Sequence, residues 1–209
     1  MLSLSNTTQC QVLQCPYDAE KGKLIVREMT DLLVLDLVEK KLVTDQMVLT
    51  VGYDIDNLTD SKIKSSYKGE ITTDHYGRKV PKHAHGTANL GRQTSSTQII
   101  MDAVMELYDQ IINPGLLIRR VTIAACHLVD EAQAVAEEEF EQLDLFTDYA
   151  ALEKERKEEA ERLSKERRLQ EAMLAVKKKY GKNAILKGTN LQEGATTIER
   201  NRQIGGHKA

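Results

Sequence analysis

Four sets of side chains have the types and spacing to do chemistry. Asp54 and Asp56, one residue apart, could bring two carboxylates to a strand end, as phosphoryl-transfer sites do when they hold a pair of divalent ions. The same pattern is ordinary turn composition, because Asp side chains there bond their own backbone, and we take the turn reading. Cys10 and Cys15, with His83 and His85, carry zinc-ligating atoms. The Cys interval is at the outer limit for structural zinc and the His interval does not match, so no metal site is assigned. Cys126 and His127 close a strand and read as packing or surface residues. Lys79, Lys82, His83, His85, Arg92, Arg119 and Arg120 lie on or beside the strands expected below, with Thr87, Thr94, Ser95 and Ser96 among them. Cations and hydroxyls mixed in this way suit nucleic-acid phosphates, although an ordinary charged surface has the same composition. The fourth set is Gln142-Leu143-Asp144-Leu145-Phe146. Three apolar side chains and an amide make an anchor for a partner's pocket. Glu137, Glu138, Glu139 and Glu141 upstream argue against a buried strand. The competing reading is the edge of an amphipathic helix packed on its own domain. There is no phosphate-binding Gly loop, no HExxH and no GxSxG, so catalysis by this chain alone has no support in its motifs.

These groups sit on an asymmetric charge distribution. The net charge of −3 over 209 residues divides into 15 Lys/Arg against 8 Asp/Glu in residues 154–209, and 14 against 24 before them. A basic C-terminal part on an acidic body implies an anionic partner such as nucleic acid. With no Trp and two Phe, any core must be aliphatic. No run of 18 apolar residues and no basic-then-apolar leader is present, and the three cysteines read as free thiols. These features suggest a cytoplasmic protein without membrane partners.

The elements that must position the groups follow from hydrophobic period. A strand is expected around residues 9–14. Asp18 then caps an amphipathic helix from Ala19 to about Lys41, with Leu24, Ile25, Met29, Leu32, Leu33 and Leu37 on one face and charged residues, Glu28 among them, on the other. Residues 44–54 read as a central strand, 55–80 as a long polar hairpin connection, and 82–90 as its partner strand. A second helix carries Ile99, Ile100, Ala103, Val104, Leu107, Tyr108, Ile111 and Ile112, stops at Asn113-Pro114-Gly115, and leads to a strand over 116–125. The order β-α-β-β-α-β implies an α+β fold, a four-stranded sheet with two helices on one face and the other face free to bind. Residues 149–180 read as a solvated charged helix or weak coiled coil, and 181–209 as a flexible basic tail.

Several stretches resemble one family. Leu49–Asp54, Gly77–Thr87, Ile118–Thr122, the pentapeptide and Ile198–Ala209 are similar to the C-terminal part of UmuC/DinB-type Y-family translesion DNA polymerases. The Gly77–Thr87 block and the pentapeptide are the more specific parts, and the pentapeptide resembles the motif by which bacterial replication and repair proteins dock on the sliding clamp. The resemblance implies a little-finger domain at 1–130, a linker with the clamp peptide at 131–148, the helix at 149–180 and the tail. It implies damaged or primed double-stranded DNA and the bacterial sliding clamp as partners, and a role in DNA damage repair and the SOS response. Lys79, Lys82, His83, His85, Thr87, Arg92, Arg119 and Arg120 would hold DNA, and Gln142, Leu143, Asp144, Leu145 and Phe146 would hold the clamp. The family's magnesium belongs to palm carboxylates with no counterpart here, so no cofactor is expected in this chain. The expected protein is a truncated or split member without polymerase activity. The alternative is a regulatory or complementing fragment that competes for the clamp or pairs with a separate polymerase core. The tail is either a DNA contact or an unstructured, solubilising end.

Overall fold

The first described element is a strand whose residues alternate inward and outward. The computed structural model describes residues 6–137, 149–204 and 207–208. Strand β1 (Thr7–Tyr17) leads into helix α1 (Ala19–Lys40), where the Asp18 carboxylate accepts the Lys21 amide at 2.8 Å and caps the first turn. Lys41, at φ 55°, ends the helix and hands the chain to β2 (Leu42–Tyr53). Residues 55–80 differ from the expected plain connection. They form two short helices, α2 (Asp56–Thr59) and α3 (Ser61–Ser66), and a hairpin of β3 (Ile71–Thr73) and β4 (Lys79–Pro81). Each piece is too short to show a hydrophobic period, but Asp60 marks α3 by accepting the amides of Lys62 and Ile63. Strand β5 (Ala84–Thr94), helix α4 (Thr97–Ile111, capped by Ser96) and β6 (Ile118–Cys126) follow.

The main sheet has the order β1-β6-β2-β5 with antiparallel neighbours, and the two-residue β7 (Val129–Asp130) adds to one end of β2. Because β6 inserts between β1 and β2, this is the split βαβ arrangement expected from the element order. Helices α1 and α4 cover one face. Between them and the sheet lie Ile25, Met29, Leu33, Leu37, Met47, Leu49, Val51, Ile100, Val104, Val121 and Ile123, all without solvent exposure. Gly86 admits α4 closely, since a Cβ there would stand 2.7 Å from Leu107 Cδ1.

After α5 (Glu131–Glu137) the long helix α6 (Tyr149–Tyr180) is more than a solvated rod. Gln170, 4% exposed, donates to the Ser95 carbonyl and Thr97 Oγ1, and Glu166 accepts from Ser96 Oγ and the Gln98 amide at the start of α4. The segment beyond it also departs from expectation. Instead of a flexible tail, the 3-10 turn Gly188–Leu191 and helix α7 (Thr197–Arg200) pack on α1. Glu28, placed by sequence on the solvated face, is 1% exposed beneath them. Its carboxylate accepts Asn190 Nδ2 (2.9 Å), the Thr196 amide (2.7 Å) and the Thr197 amide (3.3 Å). Lys187 pairs with Asp31 on the same helix. The contact is polar and joins residues more than 150 positions apart, so no local pattern reveals it. Last among the described elements, β8 (Gln203–Ile204) pairs antiparallel with β9 (His207–Lys208).

Candidate nucleic-acid interface

The sheet face opposite the helices carries no covering element among the described residues. It is built from alternate positions: Cys10 and Val12 on β1, Arg120, Thr122 and Ala124 on β6, Gln46, Val48, Thr50 and Gly52 on β2, and His85, Thr87 and Asn89 on β5. Cross-strand polar pairs hold their rotamers. Gln46 Nε2 donates to Asn89 Oδ1 (3.0 Å), Thr50 Oγ1 meets His85 Nδ1 (2.9 Å), and Arg120 Nε and Thr122 Oγ1 point at Cys10 Sγ (3.2 and 3.4 Å). Gly52 lies beside Arg120, where a Cβ would come within 3.4 Å of the arginine's own Cβ. The face is rich in hydroxyls and amides, with one guanidinium, that of Arg120, toward the Tyr53 end of β2.

At the Tyr53 end of β2 the β3–β4 hairpin stands beside this face, and the two enclose a groove of 1020 Å³. Arg120, Thr122, Thr50 and His83 line its sheet side, and Tyr76 and Arg78 its hairpin side. Asp54, 5% exposed, does turn work there: its carboxylate accepts the Asp56 amide at 2.9 Å and faces Arg119 at 3.5 Å. Asn57 completes the corner by bonding Leu117 through its carbonyl and amide. Residues 61–85, which contain the hairpin, hold six Lys/Arg against two Asp/Glu, a balance of +4, and three of the five histidines. On an acidic body such a local positive balance favours anions.

The sequence-derived residues divide by position. Arg120, His85 and Thr87 share the open face, and His83 lines the groove. Lys79 lies on the hairpin, not the main sheet, and its ammonium donates to Thr73 Oγ1; Lys82 follows β4 and pairs with Glu70 at 2.7 Å, which raises its pKa. Arg119 sits at the irregular pairing of β1 with β6, donating to the Gln14 carbonyl as well as facing Asp54. Arg92 is turned away from the others: it binds Glu159 of α6 at 2.6 Å and holds that carboxyl below the usual range. Lys62, Lys64, Lys68 and Arg78 are the further cations of residues 61–85, a stretch whose polar, turn-rich sequence has no period to place them. Gln142, Leu143, Asp144, Leu145 and Phe146 lie outside the described residues. No described helix is long and apolar enough to cross a membrane.

Comparison with curated proteins finds no match. A chain of a solved structure described as a complex of beta-clamp processivity factor and little finger domain of PolIV is similar at 10% identity and a TM-score of 0.39, over 68% of this chain and 100% of that one. The model of the impB/mucB/samB family C-terminal domain matches residues 12–145, which takes in the sheet from midway along β1, both covering helices and the hairpin. This chain therefore belongs to the impB/mucB/samB family, and its folded body is the C-terminal region of a Y-family DNA polymerase.

Proposed function

We propose that this chain grips primed or damaged double-stranded DNA through the open sheet face and the basic hairpin, and tethers itself to the bacterial sliding clamp through residues 142–146. It serves translesion synthesis in the response to DNA damage in the cytoplasm, with polymerase chemistry and its magnesium in a palm outside this chain. The observation that carries the DNA part is the open face itself. Four strands present Thr, Asn, Gln and His side chains around Arg120, which has no carboxylate partner among the described residues, next to a lobe with a balance of +4. Such a surface holds phosphates by charge and hydroxyl contact without reading bases. The clamp part is supported by residue types alone. A Gln amide and three apolar side chains flanked by acids gain little for the chain's own core, and docking them would raise the local concentration of the DNA-binding body at a replication fork.

The test measures duplex DNA affinity against salt for the full chain and for Arg120→Ala and Lys79→Ala. Each variant should bind less tightly and lower the salt slope by about 0.9. Absence of duplex binding even at about 50 mM salt would refute the DNA reading. In calorimetry with purified clamp, the Leu145→Ala/Phe146→Ala double variant should lose binding while DNA affinity stays nearly constant; unchanged clamp affinity would remove the docking claim.

A further inference from the structure

We propose that the tip of the β3–β4 hairpin is a stacking platform for an unpaired base, and that the groove beneath it takes the single-stranded nucleic acid carrying that base. This rests on the DNA-binding reading above and narrows it to a strand state. The tip is built as a rigid support. Asp74 Oδ1 accepts the amides of Tyr76 and Arg78, both at 2.9 Å. The Asp74 amide donates to the Arg78 carbonyl at 2.9 Å, and Gly77, at φ 78°, donates to the Asp74 carbonyl at 3.0 Å. The Arg78 guanidinium then grips the remaining Asp74 oxygen at 2.8 and 2.7 Å, which holds the Asp74 carboxyl below its usual range.

That pair fixes an aromatic ring in water. The Arg78 guanidinium carbon stands 5.1 Å over the centre of the Tyr76 ring, and His75 meets the ring at 73° and 5.5 Å. Tyr76 is nonetheless 79% exposed. Its exposed ring contributes little burial to folding, and the turn's geometry depends on Asp74 and Gly77 rather than on a Tyr at this position. A fixed, exposed ring offers a face. Stacking on a base tolerates any sequence, because every base has a π-face, and the platform is already ordered before binding. A base inside a duplex has both faces covered by its neighbours, so away from duplex ends only an unpaired base can use the tip. Beside the ring, the groove has room for nucleotides, with Arg120 on its sheet side and the lobe's surplus of +4 to hold the backbone.

The chain contains no Trp, so Tyr76→Trp in the full-length protein creates a single reporter at the tip. Its emission should be quenched by a single-stranded oligonucleotide and not by relaxed closed-circular duplex, which has no ends to stack, while co-sedimentation follows binding of both. Tyr76→Ala should weaken single-strand binding about tenfold and leave duplex binding nearly unchanged, and Tyr76→Phe should bind like the parent. Single-strand binding without quenching, or an equal loss on both substrates in Tyr76→Ala, would overturn the platform while leaving the DNA reading intact. Failure to bind either substrate would overturn both.

Discussion

Replacing Glu28 by Gln should release the tail from α1 while leaving the sheet folded. The Glu28 carboxylate faces the tail: Oε1 accepts Asn190 Nδ2 and the Thr197 amide, and Oε2 accepts the Thr196 amide and its hydroxyl at 3.2 Å. Glutamine keeps the shape but turns one oxygen into a donor. Whichever way the amide faces, two of the four donors then meet an N–H. Hydrogen bonds to a charged acceptor contribute about 1.5–3 kcal/mol each, and donors stranded in a buried site add a desolvation cost, so docking should weaken by about 2–4 kcal/mol. Arg200, whose pKa burial pushes down, loses the support of the Glu28 charge as well. At about 1.4 kcal/mol per tenfold, amide exchange across residues 187–201 should accelerate by roughly 30- to 1,000-fold. The assay is hydrogen exchange read by mass spectrometry, with β2 and β6 as internal references. Tail protection that does not change would refute this account. So would an equal loss in β2 and β6, because Glu28 would then be supporting the whole domain. Asn190→Ala should loosen the same segment, and the double variant should cost less than the sum, since both remove one network.

Asp31→Asn should hold or raise stability at neutral pH, by up to about 1 kcal/mol, because burial raises the Asp31 pKa more than Lys187 lowers it, so the charged form is a cost in the fold; a loss above about 1 kcal/mol in urea unfolding would contradict this. Burial also raises the pKa of Tyr108, Tyr53 and Tyr17 from 10.0. Above pH 10 the unfolded chain therefore releases protons that the folded one keeps. Stability should be fully present below that pH and fall as pH rises, and Tyr108→Phe, which costs about 1 kcal/mol at neutrality for its bond to the Ala19 carbonyl, should flatten the fall. Arg92→Ala should change stability by less than about 1 kcal/mol, since both partners of its pair with Glu159 are more than a third exposed; a larger drop in thermal unfolding would assign that pair a greater role.

The parts of the fold that were legible are those where period and packing coincide. Helices α1 and α4 bury Ile25, Met29, Leu33, Ile100 and Val104 at helical spacing, and β2 alternates Met47, Leu49 and Val51 against Gln46, Val48 and Thr50. The open face followed, because whatever lies between inward residues must point outward. The lobe did not, since its stability comes from Asp60 and Asp74 bonding nearby backbone, in pieces shorter than any periodic window. The docked tail was illegible for another reason. Its energy lies in a buried carboxylate meeting amides far along the chain, and a Glu among apolar residues looks the same in sequence whether water or a turn covers it. Of the proposed DNA contacts, Arg120, His85 and Thr87 share the open face because strand register fixes them there, while the partners of Arg92, Lys82 and Arg119 depend on side chains that only the fold brings near.

The strand order also sets when the domain can form as the chain is synthesised. Strand β6 pairs with β1 on one side and β2 on the other, Thr7 opposite Ala125, so the sheet's centre is the last major strand made. Until residue 126 is available, β1 and β2 have no shared neighbour, and α1 has only part of a surface on which to bury Ile25, Met29 and Leu33. Folding must wait for closure of loops about a hundred residues long, a topology that slows the search and leaves strand edges open meanwhile. Helix α6 and the tail arrive later still and settle on a body already formed, so their loss by proteolysis would leave the sheet as the resistant fragment.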